Sequence, residues 1–165
     1  MHFLQKIFLY MADVFHQIYI QIVFAVKNRQ ALIQPDWEND LYKYITGVVQ
    51  NKGHKMIAIG GMPDHIHLFI GQKPAEALSD LVREIKKSSN AFIREQHFTQ
   101  YSFDWQAGYG AFSYSKSQID QVAKYVLNQK EHHQKQDFET EFLKMLSVFE
   151  IEIGKRKMFE FFLPD

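Results

Sequence analysis

The stretch that most restricts the fold is residues 54–70, HKMIAIGGMPDHIHLFI. Two runs rich in β-branched and aromatic residues flank the turn formers Gly61-Met62-Pro63-Asp64, so the spacing predicts an antiparallel hairpin with strands over 54–60 and 65–70. A two-stranded hairpin is marginal in water and has to recruit further strands and a helical layer. The flanking sequence supplies both. Residues 16–27, HQIYIQIVFAVK, read as a long strand with one well-buried face. Pro35-Asp36 then opens a helix in which Trp37, Leu41, Tyr44, Ile45 and Val48 recur at helical spacing, and Gly53 ends it. After the hairpin, a helix over 77–95 carries Leu78, Leu81, Val82, Ile85 and Phe92 along one stripe, with Arg83, Lys86, Lys87 and Arg94 on the other face. Residues 96–108 read as loop and 109–115 as a short fourth strand. A continuous helix over 117–133 follows, with Ser115 or Ser117 as N-cap, and then an acidic amphipathic helix over 138–149. The order βαββαβ plus C-terminal helices predicts an α+β, ferredoxin-like (RRM-like) split arrangement with helices on one face of an antiparallel sheet. The opposite face is expected to stay available for a ligand or a partner.

With 165 residues, 46% of them apolar, the chain suffices for one domain with its own core. The absence of cysteine excludes a disulfide-stapled scaffold and any zinc site built on thiolates, and fits a reducing cytoplasm. Nineteen basic residues balance nineteen acidic ones, so there is no global excess of positive charge to argue for a nucleic-acid partner. The balance is uneven along the chain: residues 1–130 carry 14 basic and 11 acidic side chains, and residues 131–165 carry five and eight. The expected organisation is a domain over 11–150 and a tail over 151–165, preceded at 1–10 by an extension from a start codon placed upstream, or by a short docking segment. No apolar run approaches the roughly 20 residues that span a bilayer.

His65-Ile66-His67 is the first feature that rises above fold. Side chains two apart on a strand share a face about 7 Å apart, so both imidazoles converge above the sheet while Ile66 enters the core. A bare His-x-His is also what an exposed strand carries, and a metal site needs a further ligand. In the helix after the fourth strand, Tyr125 and Gln129 lie one turn apart, near Asn128, His132 and His133. Spacing alone equally allows a half-buried aromatic and a solvated amide, and periodicity does not select Tyr125 from the eight tyrosines.

Three stretches in register change the weighting: Gly60-Gly61-Met62-Pro63-Asp64-His65-Ile66-His67-Leu68, Trp105-Gln106-Ala107-Gly108-Tyr109-Gly110-Ala111-Phe112-Ser113, and Tyr125-Val126-Leu127-Asn128-Gln129 with His132-His133. Together with residues 22–29 and 78–93 they closely resemble the single-tyrosine HUH transposases of small bacterial insertion sequences and their domesticated relatives, the REP-associated tyrosine transposases. The resemblance covers roughly residues 14–150. It implies that His65 and His67 are the HUH pair binding a divalent cation, magnesium or manganese, that Gln129 is the third ligand, and that Tyr125 is the nucleophile. Asp64 reads as a turn residue or as one that supports a ligand.

The implied chemistry is coherent. A phosphodiester is shielded by its own charge, and a bound cation orients it for in-line displacement. Tyrosine, with a pKa near 10, is ionised in only about one molecule in a thousand at neutral pH, so a base is needed that the sequence does not name. Attack yields a 5′-phosphotyrosine and a free 3′-hydroxyl, and no nucleotide cofactor enters. The resemblance also implies single-stranded DNA with imperfect hairpins as the partner, a homodimer in which the tyrosine helix can exchange between subunits, and a cytoplasmic, nucleoid-associated location. Lys27, Arg29, Arg83, Lys86, Lys87 and Arg94 are the candidate phosphate contacts, with Ser88, Ser89 and Asn90 as neutral donors. Two other readings compete. One is a non-catalytic single-stranded nucleic-acid-binding module on the open sheet. The other is a zinc hydrolase, disfavoured because no carboxylate stands at ligand spacing from the pair.

Overall fold

A computed structural model of the chain describes residues 14–154; the expected extension at 1–10 and most of the expected tail lie outside them. The elements are β1 (Tyr19–Ala25), α1 (Glu38–Asn51), β2 (Lys55–Met62), β3 (His65–Gly71), α2 (Leu78–Glu95), β4 (Gly110–Tyr114), α3 (Ile119–Leu127), α4 (Gln129–His132) and α5 (Phe138–Val148). The strands form one antiparallel sheet in the order β2-β3-β1-β4, as the ferredoxin-like reading requires.

The two sheet faces are both used. On one, Ile22, Phe24, Ile66, Leu68 and Ile70 pack against Leu41, Ile45 and Val49 of α1 and Leu81, Ile85 and Ile93 of α2, forming the main core. On the other, Val23, Ala25 and Phe112 pack against Phe138 and Phe142 of α5, and Ala58 and Phe69 against Val122 and Val126 of α3. The face expected to stay available is therefore covered. The reason is that α3 and α5 each carry an apolar stripe, and the sheet offers the surface that buries it.

The hairpin is tighter than the expected four-residue turn: β2 runs through Met62 and β3 starts at His65, so only Pro63 and Asp64 connect them. Gly60 has a distinct task, since a Cβ there would lie 2.2 Å from the Val126 carbonyl oxygen. Glycine alone lets α3 lie directly on β2.

The expected continuous helix over 117–133 is divided. A 3₁₀ turn over Lys116–Gln118, capped reciprocally by Ser115 and Gln118, leads into α3. Asn128, at φ −101° and ψ 29°, leaves helical geometry and separates α3 from α4. Lys130, just past that break, pairs with Glu38 at the start of α1. Asp137 caps the start of α5, its side chain accepting the Thr140 N–H at 2.8 Å.

Candidate active site

β3 builds the centre of the site. His65 lies opposite Ala25 and Met62, and His67 opposite Val23 and Gly60. These modest neighbours leave room for two imidazoles on one face, and neither histidine has any exposed surface. Each ring is held through Nδ1. His65 donates to Asp64 Oδ1 at 2.6 Å, and Asp64 in turn pairs with Arg29. His67 Nδ1 meets the Gln21 amide at 2.9 Å. The two Nε2 atoms face inward without a hydrogen-bond partner, which is unusual for buried polar atoms and is what a pair of metal-binding imidazoles looks like.

The C-terminal helices close over this point. On α5, Phe138, Glu141 and Phe142 share the buried stripe, and the Phe138 ring stacks on His65 at 3.9 Å between centroids. Glu141 Oε2 lies 3.7 Å from His65 Nε2, 3.6 Å from His67 Nε2 and 2.9 Å from His133 Nε2. Ligand atoms of His65, His67, His133 and Glu141 all fall within 4.8 Å of one another, a set able to hold a divalent ion. A carboxylate does complete the site, contrary to expectation. It was hidden because it arrives from a helix more than 70 residues away in sequence. The usable signal was a glutamate set among apolar residues on the helix face marked by Phe138 and Phe142.

Tyr125, on α3, comes to the same place. Its hydroxyl donates to Glu141 Oε1, and its ring lies 5.9 Å from that of His67. Gln129 is buried, its Oε1 accepting from His133 Nε2 at 3.1 Å and its Nε2 donating to the Tyr125 carbonyl at 3.3 Å. His65, His67, Tyr125 and Gln129 are thus gathered in one chain, joined by His133 and Glu141.

The protonation states of His65 and Asp64 suit cation binding. Burial drives the His65 imidazole down to about 3, against the opposing pull of the Asp64 hydrogen bond. Burial also lowers His133, to about 4, with the neighbouring His67 and His132 adding to the effect. Both rings are neutral at pH 7. Burial alone would raise the Asp64 carboxyl, but the hydrogen bonds from His65 and Arg29 outweigh it and hold it at about 2. Asp64 therefore stays an anion that fixes His65 with Nδ1 protonated and Nε2 free to ligate. Arg29 reaches Asp64 from a left-handed backbone (φ 54°), with its guanidinium 4.2 Å over the Phe138 ring.

The basic side chains lie mostly elsewhere. Lys27, Arg83, Lys86 and Lys87 line a groove of about 700 Å³ between α2 and the 104–109 loop, with Trp105 and Tyr109. Within it, Lys86 Nζ is committed to the Gln106 and Gly108 carbonyls at 2.8 and 2.5 Å, and burial lowers its pKa to about 8. Arg83 pairs with Asp80 on the helix surface, and Arg94 is exposed at the far end of α2. Ser88 and Ser89 bond back to carbonyls of their own helix, Ser89 also accepting from Trp105 Nε1, and Asn90 bonds Asp104.

Comparison with known proteins bears directly on this arrangement. Residues 14–129 match the model of the family described as Transposase IS200 like. The chain belongs to that family. The IS200-like transposases cut and join DNA, so this is a DNA-recombining enzyme. Among its relatives is the ISDra2 transposase TnpA of Deinococcus radiodurans, 23% identical over 119 residues, which are 69% of this chain and 85% of that protein. In fold it is similar to a crystal structure of a transposase from Deinococcus radiodurans, with a TM-score of 0.55 and 21% identity over 72% of this chain and 95% of that one. It is also similar to a REP-associated tyrosine transposase solved with a REP hairpin, with a TM-score of 0.51 and 16% identity over 70% of each chain. The family match takes in His65, His67, Tyr125 and Gln129 and ends there. His133 and Glu141 join the cluster from beyond it. Among the described residues no helix is long and apolar enough to cross a membrane.

Proposed function

We propose that this transposase cleaves and rejoins single-stranded DNA at hairpin-flanked element ends through a covalent 5′-phosphotyrosine on Tyr125. The observation that carries this reading is the convergence of the unpartnered Nε2 atoms of His65 and His67 on a buried point beside the Tyr125 hydroxyl. A magnesium or manganese ion held by His65 and His67, with Gln129, His133 and Glu141 as the further donors at hand, would supply positive charge to non-bridging phosphate oxygens. Glu141 accepts the tyrosine proton, to which it is already hydrogen-bonded. The Tyr125 oxygen bonds to phosphorus, the bond to the 3′-oxygen breaks, and that oxygen takes the proton Glu141 received and leaves as a 3′-hydroxyl. Attack by a 3′-hydroxyl on the phosphotyrosine reverses the step and joins strands, so no external energy source is needed.

The bases and phosphates of the substrate run along the groove beside α2, where Lys27, Arg83 and Lys87 supply charge, Trp105 and Tyr109 supply ring faces, and Arg94 extends the basic surface. Lys86 and Arg29 contribute chiefly by holding the groove loop and Asp64. A REP hairpin bound to a protein of the same fold supports this class of substrate. The nucleophile and the histidine pair of one chain already meet, so cleavage in cis is the arrangement we favour within a homodimer.

The test is incubation of the full chain with a single-stranded hairpin substrate and manganese, followed by denaturing electrophoresis. A covalent adduct is expected from the wild type, and none from Tyr125→Phe or His65→Ala. Adduct formation by Tyr125→Phe would overturn the assignment of the nucleophile, and metal-independent binding without cleavage would replace this reading with that of a binding module. Mixing Tyr125→Phe with His65→Ala protein restores cleavage only if subunits exchange the tyrosine helix, so it decides between cis and trans action.

A further inference from the structure

Gln21 is a fully buried amide in the middle of an apolar strand, on the same face as Val23 and Ala25. Such a group is costly to bury unless both ends are bonded. Both are. Its Nε2 lies 2.9 Å from His67 Nδ1, and its Oε1 accepts the Tyr114 hydroxyl at 2.9 Å. Tyr114 is held in place by edge contacts to Phe69 and Phe149, at 5.9 and 5.4 Å between centroids. A chain of three side chains thus runs from β4 through β1 to one of the two histidines at the centre of the site.

The direction of these hydrogen bonds has a chemical consequence. An amide nitrogen only donates, so with Gln21 oriented as here His67 Nδ1 is the acceptor. The neutral ring then carries its proton on Nε2, the atom that faces His65 and Glu141. Such a nitrogen has no lone pair to give a cation. To ligate, His67 must hold its proton on Nδ1, and that proton needs an acceptor. Turning the Gln21 amide by half a turn provides one: Oε1 then receives Nδ1–H, and Nε2 donates to the Tyr114 oxygen. His65 needs no such change, because the Asp64 carboxylate already accepts its Nδ1–H. The two histidines of the pair are therefore supported differently, one by a fixed anion and the other by a reversible amide.

We propose that Gln21, anchored by Tyr114, is the positioning residue that sets the His67 tautomer, and that its amide reverses when the site takes up a divalent cation. The proposal rests on the reading of His65 and His67 as cation ligands, and the experiment separates the two. Manganese binding to the full-length wild type, Gln21→Met, Gln21→Glu and Tyr114→Phe is measured by calorimetry. Nitrogen-15 spectra of the histidine rings are recorded with and without zinc as a diamagnetic probe.

The wild type is expected to show His67 protonated on Nε2 without the ion and on Nδ1 with it. Gln21→Met, similar in shape but without an acceptor, should bind manganese about 10- to 100-fold more weakly. Gln21→Glu, whose carboxylate accepts Nδ1–H in the manner of Asp64, should bind at least as tightly as the wild type. Tyr114→Phe, which frees the amide without removing it, should fall between Gln21→Met and the wild type, and it serves if Gln21→Met does not fold. Equal losses in Gln21→Met and Gln21→Glu would show a merely structural residue and overturn the proposal. So would manganese affinity within twofold of wild type in Gln21→Met, or a His67 tautomer unchanged by the ion. Failure of the wild type to bind either ion would instead overturn the reading of the histidine pair.

Discussion

The contact between Gly60 and α3 offers a way to move Tyr125, the proposed nucleophile, without substituting any side chain of the proposed site. A methyl group at residue 60 would stand 2.2 Å from the Val126 carbonyl oxygen and 3.2 Å from its carbon, whereas Cβ contacts under 3.0 Å do not persist. The clash is with backbone, so no side-chain rotation relieves it. Gly60→Ala must push α3 off β2 by about 0.8 Å or more, because packed interiors have no slack to absorb it. Tyr125 is the residue immediately before Val126 and moves with it, while His65 and His67 stay on β3. A misplacement of about 1 Å costs on the order of 10²-fold in a reaction that depends on in-line geometry. The measurement is the single-turnover rate of adduct formation on a single-stranded hairpin with saturating manganese. Gly47→Ala serves as control, since nothing lies within 4 Å of a Cβ there and α1 should gain slightly from alanine. A near-wild-type rate for Gly60→Ala would refute the argument that this glycine sets the position of Tyr125.

Two further outcomes follow from the charges. The His65 ring has its pKa lowered from 6.5 to about 3 on folding, so the unfolded chain binds the extra proton between those values and stability falls as pH drops through that window. His65 alone should cost the metal-free protein about 2 kcal/mol between pH 7 and pH 5; urea denaturation in chelator at the two pH values measures it, and an equal midpoint in wild type and His65→Gln at pH 5 relative to pH 7 would remove His65 as the cause. Lys27 and Lys87 are exposed beside the basic groove; their replacement by glutamine should lower the salt dependence of single-strand binding by about 0.7 in log–log slope per lost contact, and an unchanged slope in a fluorescence anisotropy titration would place the DNA elsewhere.

The parts of the molecule that were legible in the sequence are those that depend on local period. The hairpin, the two helices under the sheet and the common face of His65 and His67 all follow from alternation or helical spacing. What was not legible depends on which elements meet in space. The stripe of α5 is as consistent with a second protein as with this sheet, so its docking over the histidines had to be seen. Asn128 interrupts the helix expected over 117–133, and Lys130 just past the break pairs with Glu38 on another element, a meeting no local period announces. Glu141 and Gln21 share one signature, a polar residue within an apolar stripe, and in both cases it marks a side chain bonded to the site. Arg29 and Lys86 show the converse. Counted only as cations they resemble phosphate contacts, but a left-handed backbone and two loop carbonyls turn them inward.

The same burial that tunes the histidines also bars the substrate. The Glu141 carboxylate lies 3.7 and 3.6 Å from the Nε2 atoms of His65 and His67, where it would compete with a phosphate oxygen for an ion held by the pair, and Phe138 covers His65. We expect entry of the substrate to need a transient withdrawal of α5, which exposes Phe138 and Phe142 before the helix returns and brings Glu141 back to Tyr125. At about 1.5–3 kcal/mol for each buried aromatic, opening costs roughly 3–6 kcal/mol and leaves about one molecule in 10² to 10⁴ open. Apparent affinity for DNA is reduced by that fraction unless binding is coupled to opening. Phe142→Ala removes part of the latch from outside the ligand set, so it should lower the melting temperature yet raise the rate of adduct formation at limiting DNA. A variant that loses stability and activity together would show that α5 supports the reactive site rather than blocking it.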